Sequence, residues 1–300
     1  MRILIALGGN ALLRRGEPPD AAVQLEHVAQ AAPALAAAAT AHDVVITHGN
    51  GPQVGLLALE SGDDHSLTRP YPLDALVAET QGLIGYWLQQ SLPAAGLRGD
   101  VVTVITQTVV AADDPAFAAP TKFVGASYAE AEAARLGAAR GWVMHRDGDA
   151  WRRVVASPTP LRIVESPVIR ALVQSGATVI CAGGGGVPVT EGPHGLAGVE
   201  AVIDKDRVAA LLALELGVDR LVLLTDVAAV VAGYGTPDAR PLGAVTVDEL
   251  SGEAFAAGSM GPKVEAACRF VRESGRPAAI GALDDLTEVL DGRAGTQISR

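Results

Sequence analysis

The stretch Ile3-Leu4-Ile5-Ala6-Leu7-Gly8-Gly9-Asn10 decides how the rest of the chain is read. Its apolar residues follow one another without polar alternation, as in a strand buried on both faces, and two glycines end the run abruptly. The run is too short for the apolar core of a signal peptide and no cleavage pattern follows, so it reads as structure rather than as a leader. Outward from it the pattern recurs. Residues 44–47, 101–106, 178–181, 221–224 and 278–280 are further short β-rich apolar runs, and helical stretches lie between them at 21–41, 73–90, 207–217 and 264–273. Such alternation predicts an α/β fold with a mostly parallel sheet covered on both faces. Ligands of such sheets bind beyond the carboxyl ends of the strands. There the sequence places Gly8-Gly9-Asn10, His48-Gly49-Asn50-Gly51-Pro52, Gly183-Gly184-Gly185-Gly186 and Thr225-Asp226.

Composition narrows the function. The 300 residues carry 34 acidic and 23 basic side chains, a net charge of -11, which argues against a nucleic-acid binder but not against a local basic pocket. Apolar residues make up 49%, enough for a large core in one α/β domain or two lobes. The two cysteines, Cys181 and Cys268, lie in apolar surroundings without metal-ligand spacing, which fits a reduced, cytoplasmic setting. No apolar run approaches the roughly 18 residues of a membrane span.

One segment breaks the alternation. Residues 112–160 hold Asp113-Asp114-Pro115, Pro120, Trp142, a charged run at 146–153, Pro158 and Pro160. They read as a small insertion protruding from the main sheet, with strands at 142–144 and 151–155 and a hairpin around Asp147-Gly148. An insertion of this length in a compact fold suits a lid over substrate.

Glycine loops after strands let backbone N–H groups approach an anion closely. Three in one domain point to a phosphorylated or otherwise anionic ligand, although any one alone is better read as a tight strand-to-helix turn. Asn10 and Asn50 add amide donors suited to a small planar acid, or serve as helix N-caps. The familiar fingerprints fail. No glycine precedes a lysine as a P-loop requires, and the third glycine of a dinucleotide motif is displaced after Gly51 and replaced by Pro188 after Gly185. His145-Arg146-Asp147 imitates a protein-kinase catalytic tripeptide, but Arg152 stands where its asparagine belongs, so it reads as the turn of the insertion.

Only three of the 23 basic residues are lysines: Lys122, Lys205 and Lys263. Arginine serves elsewhere, so a retained lysine is a candidate for work that needs a compact charge on a flexible stem, as phosphoryl transfer does. Pro262 fits the first position of a helix, which would aim Lys263 and the helix N-terminus at one anion. Lys205 lies between Asp204 and Asp206, which would keep it protonated, or bind Mg²⁺, or form a solvated charge cluster.

These segments together resemble the carbamate kinases of the amino acid kinase superfamily. The resemblance rests on Ala6-Leu7-Gly8-Gly9-Asn10-Ala11, Thr47-His48-Gly49-Asn50-Gly51-Pro52-Gln53-Val54-Gly55, Pro120-Thr121-Lys122 and residues 182–188. It continues through Gly198-Val199-Glu200-Ala201-Val202-Ile203-Asp204-Lys205-Asp206, Leu224-Thr225-Asp226-Val227 and residues 258–265. It implies a three-layer αβα sandwich around a mainly parallel sheet of about eight strands with a small protruding subdomain. Residues 1–190 would form an acceptor-binding lobe that includes the 112–160 lid, and 191–300 a nucleotide-binding lobe, within a single domain 1–300. The implied reaction is reversible phosphoryl transfer between ATP and carbamate, giving ADP and carbamoyl phosphate. Mg²⁺ would accompany the nucleotide, the chain would form a homodimer, and ATP formation in arginine catabolism would be its role.

By motif match, Lys205 and Lys263 would hold the transferring phosphoryl group, Asp206 would orient them, and Lys122 would reach over the site. Gly8, Gly9, Asn10, Gly49, Asn50, Gly51, Gly184 and Gly185 would line the acceptor site, and Thr225, Asp226, Val227, Tyr234, Met260 and Gly261 the nucleotide site. The sequence departs from the family after Val227, where Ala228-Ala229-Val230-Val231 replaces an acidic and aromatic run, and after Lys122, where Phe123 and Val124 stand instead of proline. A kinase of the same fold for another small carboxylate or phosphate, and a sensor without turnover, are the alternatives.

Overall fold

The computed structural model describes residues 1–9, 12–14, 16–255 and 260–300. Its main sheet has eight strands in the order Ala244–Thr246, Thr296–Ser299, Ala278–Ala282, Arg220–Thr225, Arg2–Leu7, Asp43–His48, Thr178–Cys181, Val101–Val104. From Ala278–Ala282 to Val101–Val104 every pairing is parallel, and these are the strands expected from their apolar runs. Thr296–Ser299 runs antiparallel to Ala278–Ala282 and carries Ala244–Thr246 parallel to itself. These two strands at one end of the sheet left no apolar run because they are short and only partly buried.

Alternate residues of Arg2–Leu7 enter opposite cores, as a pleat requires. Ile3 and Ile5 pack with Val28, Leu35, Ile84 and Leu88 from helices Ala21–Ala41 and Leu73–Ala94. Leu4 and Ala6 pack with Val208, Leu212, Phe270 and Val271 from helices Lys205–Leu216 and Met260–Ser274. The result is the expected three-layer αβα sandwich. Each fully buried aliphatic or aromatic side chain contributes about 1.5–3 kcal/mol toward it.

The strand expected at 101–106 ends at Val104, and a separate strand that was not expected follows at Gln107–Val110. Val101–Val104 belongs to the main sheet, and Gln107–Val110 to a second sheet ordered Gly195–Gly198, Val187–Gly192, Gln107–Val110, Pro160–Ile163. The break has a local cause. The Gln81 side chain binds both backbone groups of Thr106, at 2.9 and 3.1 Å, and the Thr106 hydroxyl donates back to Val104 O at 2.8 Å, so the main-sheet ladder ends at Val104, while Thr106 O also accepts Val187 N–H at 2.8 Å and starts the ladder of the second sheet.

The insertion carries a sheet of its own, ordered Lys122–Tyr128, Ala150–Val155, Val143–Asp147, with helix Glu130–Arg140 beside it. His145-Arg146-Asp147 lies on a strand rather than at a turn; the chain reverses just beyond it, where Gly148 takes φ +65° and Asp147 pairs with Ala150. At the root of this unit Lys122 pairs with Val155, Ala156 bridges Ala201, and Val202 N–H donates to Ala156 O at 2.9 Å. Farther out, a Cβ on Gly55 would sit 2.2 Å from Gly125 Cα, so glycine is what lets the helix Gly51–Asp63 and the strand Lys122–Tyr128 touch backbone to backbone.

Helix ends follow their caps. The helix expected at 207–217 spans Lys205–Leu216, because Asp204 is its N-cap and Gly217, at φ 62°, its left-handed C-cap. The helix expected at 264–273 spans Met260–Ser274, so Pro262 is its third residue, still within the first turn where N–H groups lack intrahelical partners. Among the described residues no helix is long and apolar enough to cross a membrane.

Candidate active site

All three lysines of the chain meet two carboxylates. Lys205 Nζ donates to Asp206 Oδ1 at 2.8 Å, and Lys263 Nζ donates to Asp206 Oδ2 at 3.0 Å. Lys122 Nζ, arriving from the root of the insertion, donates to Asp204 Oδ2 at 2.6 Å. The other Asp204 oxygen accepts the N–H groups of Asp206 and Arg207 at 3.0 and 3.2 Å. The two-residue spacing of Asp-Lys-Asp places one carboxylate on the helix cap and the other inside its first turn.

The local electrostatics are governed by burial and by this pairing. Burial works against ionising Asp204, but the ammonium of Lys122 overrides it and holds the carboxyl down at about 2. Asp206 is likewise penalised by burial and likewise held below the usual carboxylate range, by Lys205 and Lys263. Burial opposes the charge on Lys205, and Asp206 more than restores it. Lys263 is shifted down, by burial first and then by the neighbouring charge of Lys205. Three ammonium groups against two carboxylates leave one net positive charge in a chain of net charge -11. An ammonium has three donors, and each lysine uses one on an aspartate, so the rest suit an anion.

The glycine loops close around this cluster. A Cβ on Gly49 would lie 3.0 Å from Gly9 N and 3.3 Å from Lys205 Cε, so the loops after two neighbouring strands meet beside the Lys205 stem. Gly8 approaches Leu224 O and Thr225 in the same way, and Gly51 opens the helix Gly51–Asp63. Gly184 and Gly185 take φ +66° and +92°. A Cβ on the first would overlap the Asn50 amide, and on the second would come within 2.5 Å of Ile203 O. Asn50 is the N-cap residue of its helix, yet its buried side chain donates to Thr80 Oγ1 at 2.8 Å instead of capping. His48 is buried beside Gly183; its Nδ1–H donates to Gly49 O at 3.0 Å, and burial pushes its pKa down to about 4, so the ring is neutral. Ala182, at φ 51°, is the one non-glycine residue with positive φ among the described residues, and its N–H is held by Thr106 Oγ1 at 2.9 Å.

The expected residues therefore divide. Lys122, Lys205, Asp206, Lys263, Gly8, Gly9, Gly49, Asn50, Gly51, Gly184 and Gly185 converge at the carboxyl ends of the parallel strands. Asn10 lies outside the described residues. Thr225 donates to Asp226 Oδ1 at 3.0 Å next to Gly8, and Met260 and Gly261 open the helix that carries Lys263. Val227 and Tyr234 are exposed, Tyr234 to 82%, and no hydrogen bond among the described residues ties Tyr234 to the lysines. Sequence reasoning missed Asp204 as the partner of Lys122, although an aspartate just before a helix is the usual N-cap signal. It also missed Thr80 and Gln81, which sit inside a long helix and carry no local signal.

Similarity to known proteins places the whole chain in a family. The model of the amino acid kinase family matches residues 1–282. The carbamate kinase of Escherichia coli strain K12 is 53% identical over 297 residues, 99% of each chain. That of Rhizobium meliloti is 51% identical over 304 residues, 100% of this chain and 93% of that one. Among solved structures, carbamate kinase from Giardia lamblia bound to AMP-PNP is 40% identical, with TM-score 0.91 over 99% of this chain and 98% of that one.

Proposed function

Because the chain belongs to the amino acid kinase family and matches carbamate kinases along its whole length, we propose that it transfers a phosphoryl group reversibly between ATP and carbamate. The observation that carries this reading is the convergence of all three lysines on Asp204 and Asp206, beneath glycine loops. The carbamate oxygen is already ionised, so no strong general base is required. Catalysis is then positioning and charge neutralisation. Lys205 and Lys263, fixed by one carboxylate, face the transferring group from the side of the C-terminal helices. The neutral loops around Gly9, Gly49, Asn50 and Gly184 receive the small planar acceptor. The nucleotide lies over Thr225, Asp226 and the start of helix Met260–Ser274, so that residues 1–190 serve the acceptor and 191–300 the nucleotide. Binding of AMP-PNP by the Giardia lamblia relative supports a nucleotide site of this kind.

The described residues do not fit a protein-held metal. No three His, Cys, Asp or Glu side chains cluster as ligands among them, and the carboxylates of Asp204 and Asp206 are engaged by lysines and, at Asp204, by backbone N–H groups. Mg²⁺ belongs instead with the nucleotide phosphates it neutralises. A homodimer, a cytoplasmic location and net ATP formation in arginine catabolism complete the reading. The test is direct. With ADP, Mg²⁺ and carbamoyl phosphate the protein should form ATP. Turnover only with another acyl phosphate would move the reading to a different acceptor, and nucleotide binding without turnover would make the chain a sensor.

A further inference from the structure

Asp206 already orients Lys205 and Lys263, which leaves Asp204 to be explained. Its two oxygens face different bodies: Oδ1 caps the helix that carries Lys205 and Asp206, while Oδ2 holds Lys122 at 2.6 Å. Lys122 lies at the root of the inserted sheet, not at its tip. Its strand partner is Val155, the next residue Ala156 bridges Ala201, and Val202 N–H donates to Ala156 O. The backbone on both sides of the ion pair is thereby stitched together within a few residues of it. The Lys122 side chain is 35% exposed against 10% for Asp204, so the ammonium keeps donors toward the open site while its position is set from below.

We propose that Asp204 is a positioning residue for phosphoryl transfer: its carboxylate fixes Lys122 relative to the helix that carries Lys205, so that the inserted sheet and the nucleotide half present their cations to one anion in register. This rests on the phosphotransfer reading above. The rival role is simple neutralisation of excess charge, and the two differ in sign. If Asp204 only neutralised, Asp204→Asn would add a positive charge to the pocket and tighten an anionic substrate. If it positions, the same substitution loosens Lys122 and weakens that substrate, while asparagine still caps the helix.

Two measurements decide. The chain has only three lysines, so acylation by N-hydroxysuccinimidyl acetate can be followed at each by mass spectrometry. In Asp204→Asn the rate at Lys122 should rise about tenfold, well above any change at Lys205, which feels the Asp204 charge without being hydrogen-bonded to it, and with Lys263 changed least. Steady-state kinetics with ADP and carbamoyl phosphate should show the KM for carbamoyl phosphate raised about tenfold and that for ADP within about twofold. In a Lys122→Met background, Asp204→Asn should have no further effect, because both act through one group. Asp204→Glu, which keeps the charge but moves it by one methylene, should also raise the KM. A lowered KM in Asp204→Asn, wild-type behaviour of Asp204→Glu, or independent effects of the two substitutions would overturn the proposal. Labelling needs no turnover. Absence of carbamoyl phosphate activity in the wild type therefore counts against the function, whereas unchanged Lys122 labelling counts against the role of Asp204.

Discussion

The site has a half built by charge and a half built by shape. In the first, Lys122, Lys205 and Lys263 are placed by hydrogen bonds to Asp204 and Asp206, and each position depends on a partner's charge. In the second, Asn50, His48 and the Ile203 carbonyl fit because Gly184, Gly183 and Gly185 lack side chains. The charged half can adjust, since an ammonium on a flexible stem follows a moving phosphoryl group. The shaped half cannot, since backbone and glycine positions are fixed by the sheet beneath. On the proposed reading, rigid neutral loops that receive the acceptor beside flexible cations suit a reaction in which the acceptor stays still and the phosphoryl group moves.

The largest effect should come from replacing a lysine of the charged half by arginine. Lys205 and Lys263 each take one oxygen of Asp206. A guanidinium prefers both oxygens of a carboxylate at once, so an arginine at either position would compete with the remaining lysine for Asp206 as well as losing the compact charge. Lys205→Arg and Lys263→Arg should each lower kcat by about 10³, the scale seen when one preorganised donor to a transition-state charge is lost. Steady-state rates with ADP and carbamoyl phosphate measure this. Near-normal turnover in either variant would show that charge alone, not its geometry, defines this half.

The shaped half should fail by unfolding rather than by rate. In Gly185→Ala the new Cβ would lie 2.5 Å from Ile203 O and 3.0 Å from Ile203 C, at φ +92°, where backbone and not a flexible side chain must yield. Backbone strain and overpacking together should cost about 3 kcal/mol in urea unfolding. A loss below about 1 kcal/mol would mean that the loop relaxes freely and that its glycines are not what shapes the pocket.

The two halves also differed in how legible they were in the sequence. The parallel core announced itself because strands buried on both faces must be apolar throughout, as residues 3–7 and 221–224 are. The lysines stood out against an arginine-rich background, and the geometry shows all three on two aspartates. What stayed hidden depends on long-range placement. Thr80 and Gln81 look like ordinary helix residues until the fold brings Asn50 and Thr106 to them. The pairing of Lys122 with Asp204 spans 82 positions and forms where the fold brings Ala156 beside Ala201. The strands Ala244–Thr246 and Thr296–Ser299 at one end of the sheet are short and only partly buried, and so leave no apolar run.

The smallest of these effects is a pH dependence, and it separates the halves most cleanly. His48 belongs to the shaped half, and its burial lowers its pKa from 6.5 to about 4. A depressed histidine pKa means that below pH 6.5 the unfolded chain binds a proton that the folded chain refuses. Stability is therefore fully present above pH 6.5 and is lost as pH falls toward 4. From neutral pH to pH 5 this single group should remove about 2 kcal/mol. Asp204 obeys the same sign in a lower window: with its folded pKa at about 2, its contribution persists above the unfolded value of 3.8 and is intact at pH 5. Between pH 7.5 and 5 the shaped half should thus lose stability while the Lys122–Asp204 pair of the charged half holds. Urea unfolding of wild type and His48→Gln at the two pH values reads the difference. The wild type should lose about 2 kcal/mol more than the variant, and parallel losses would mean that the ring is reached by water and that the neutral wall is not closed.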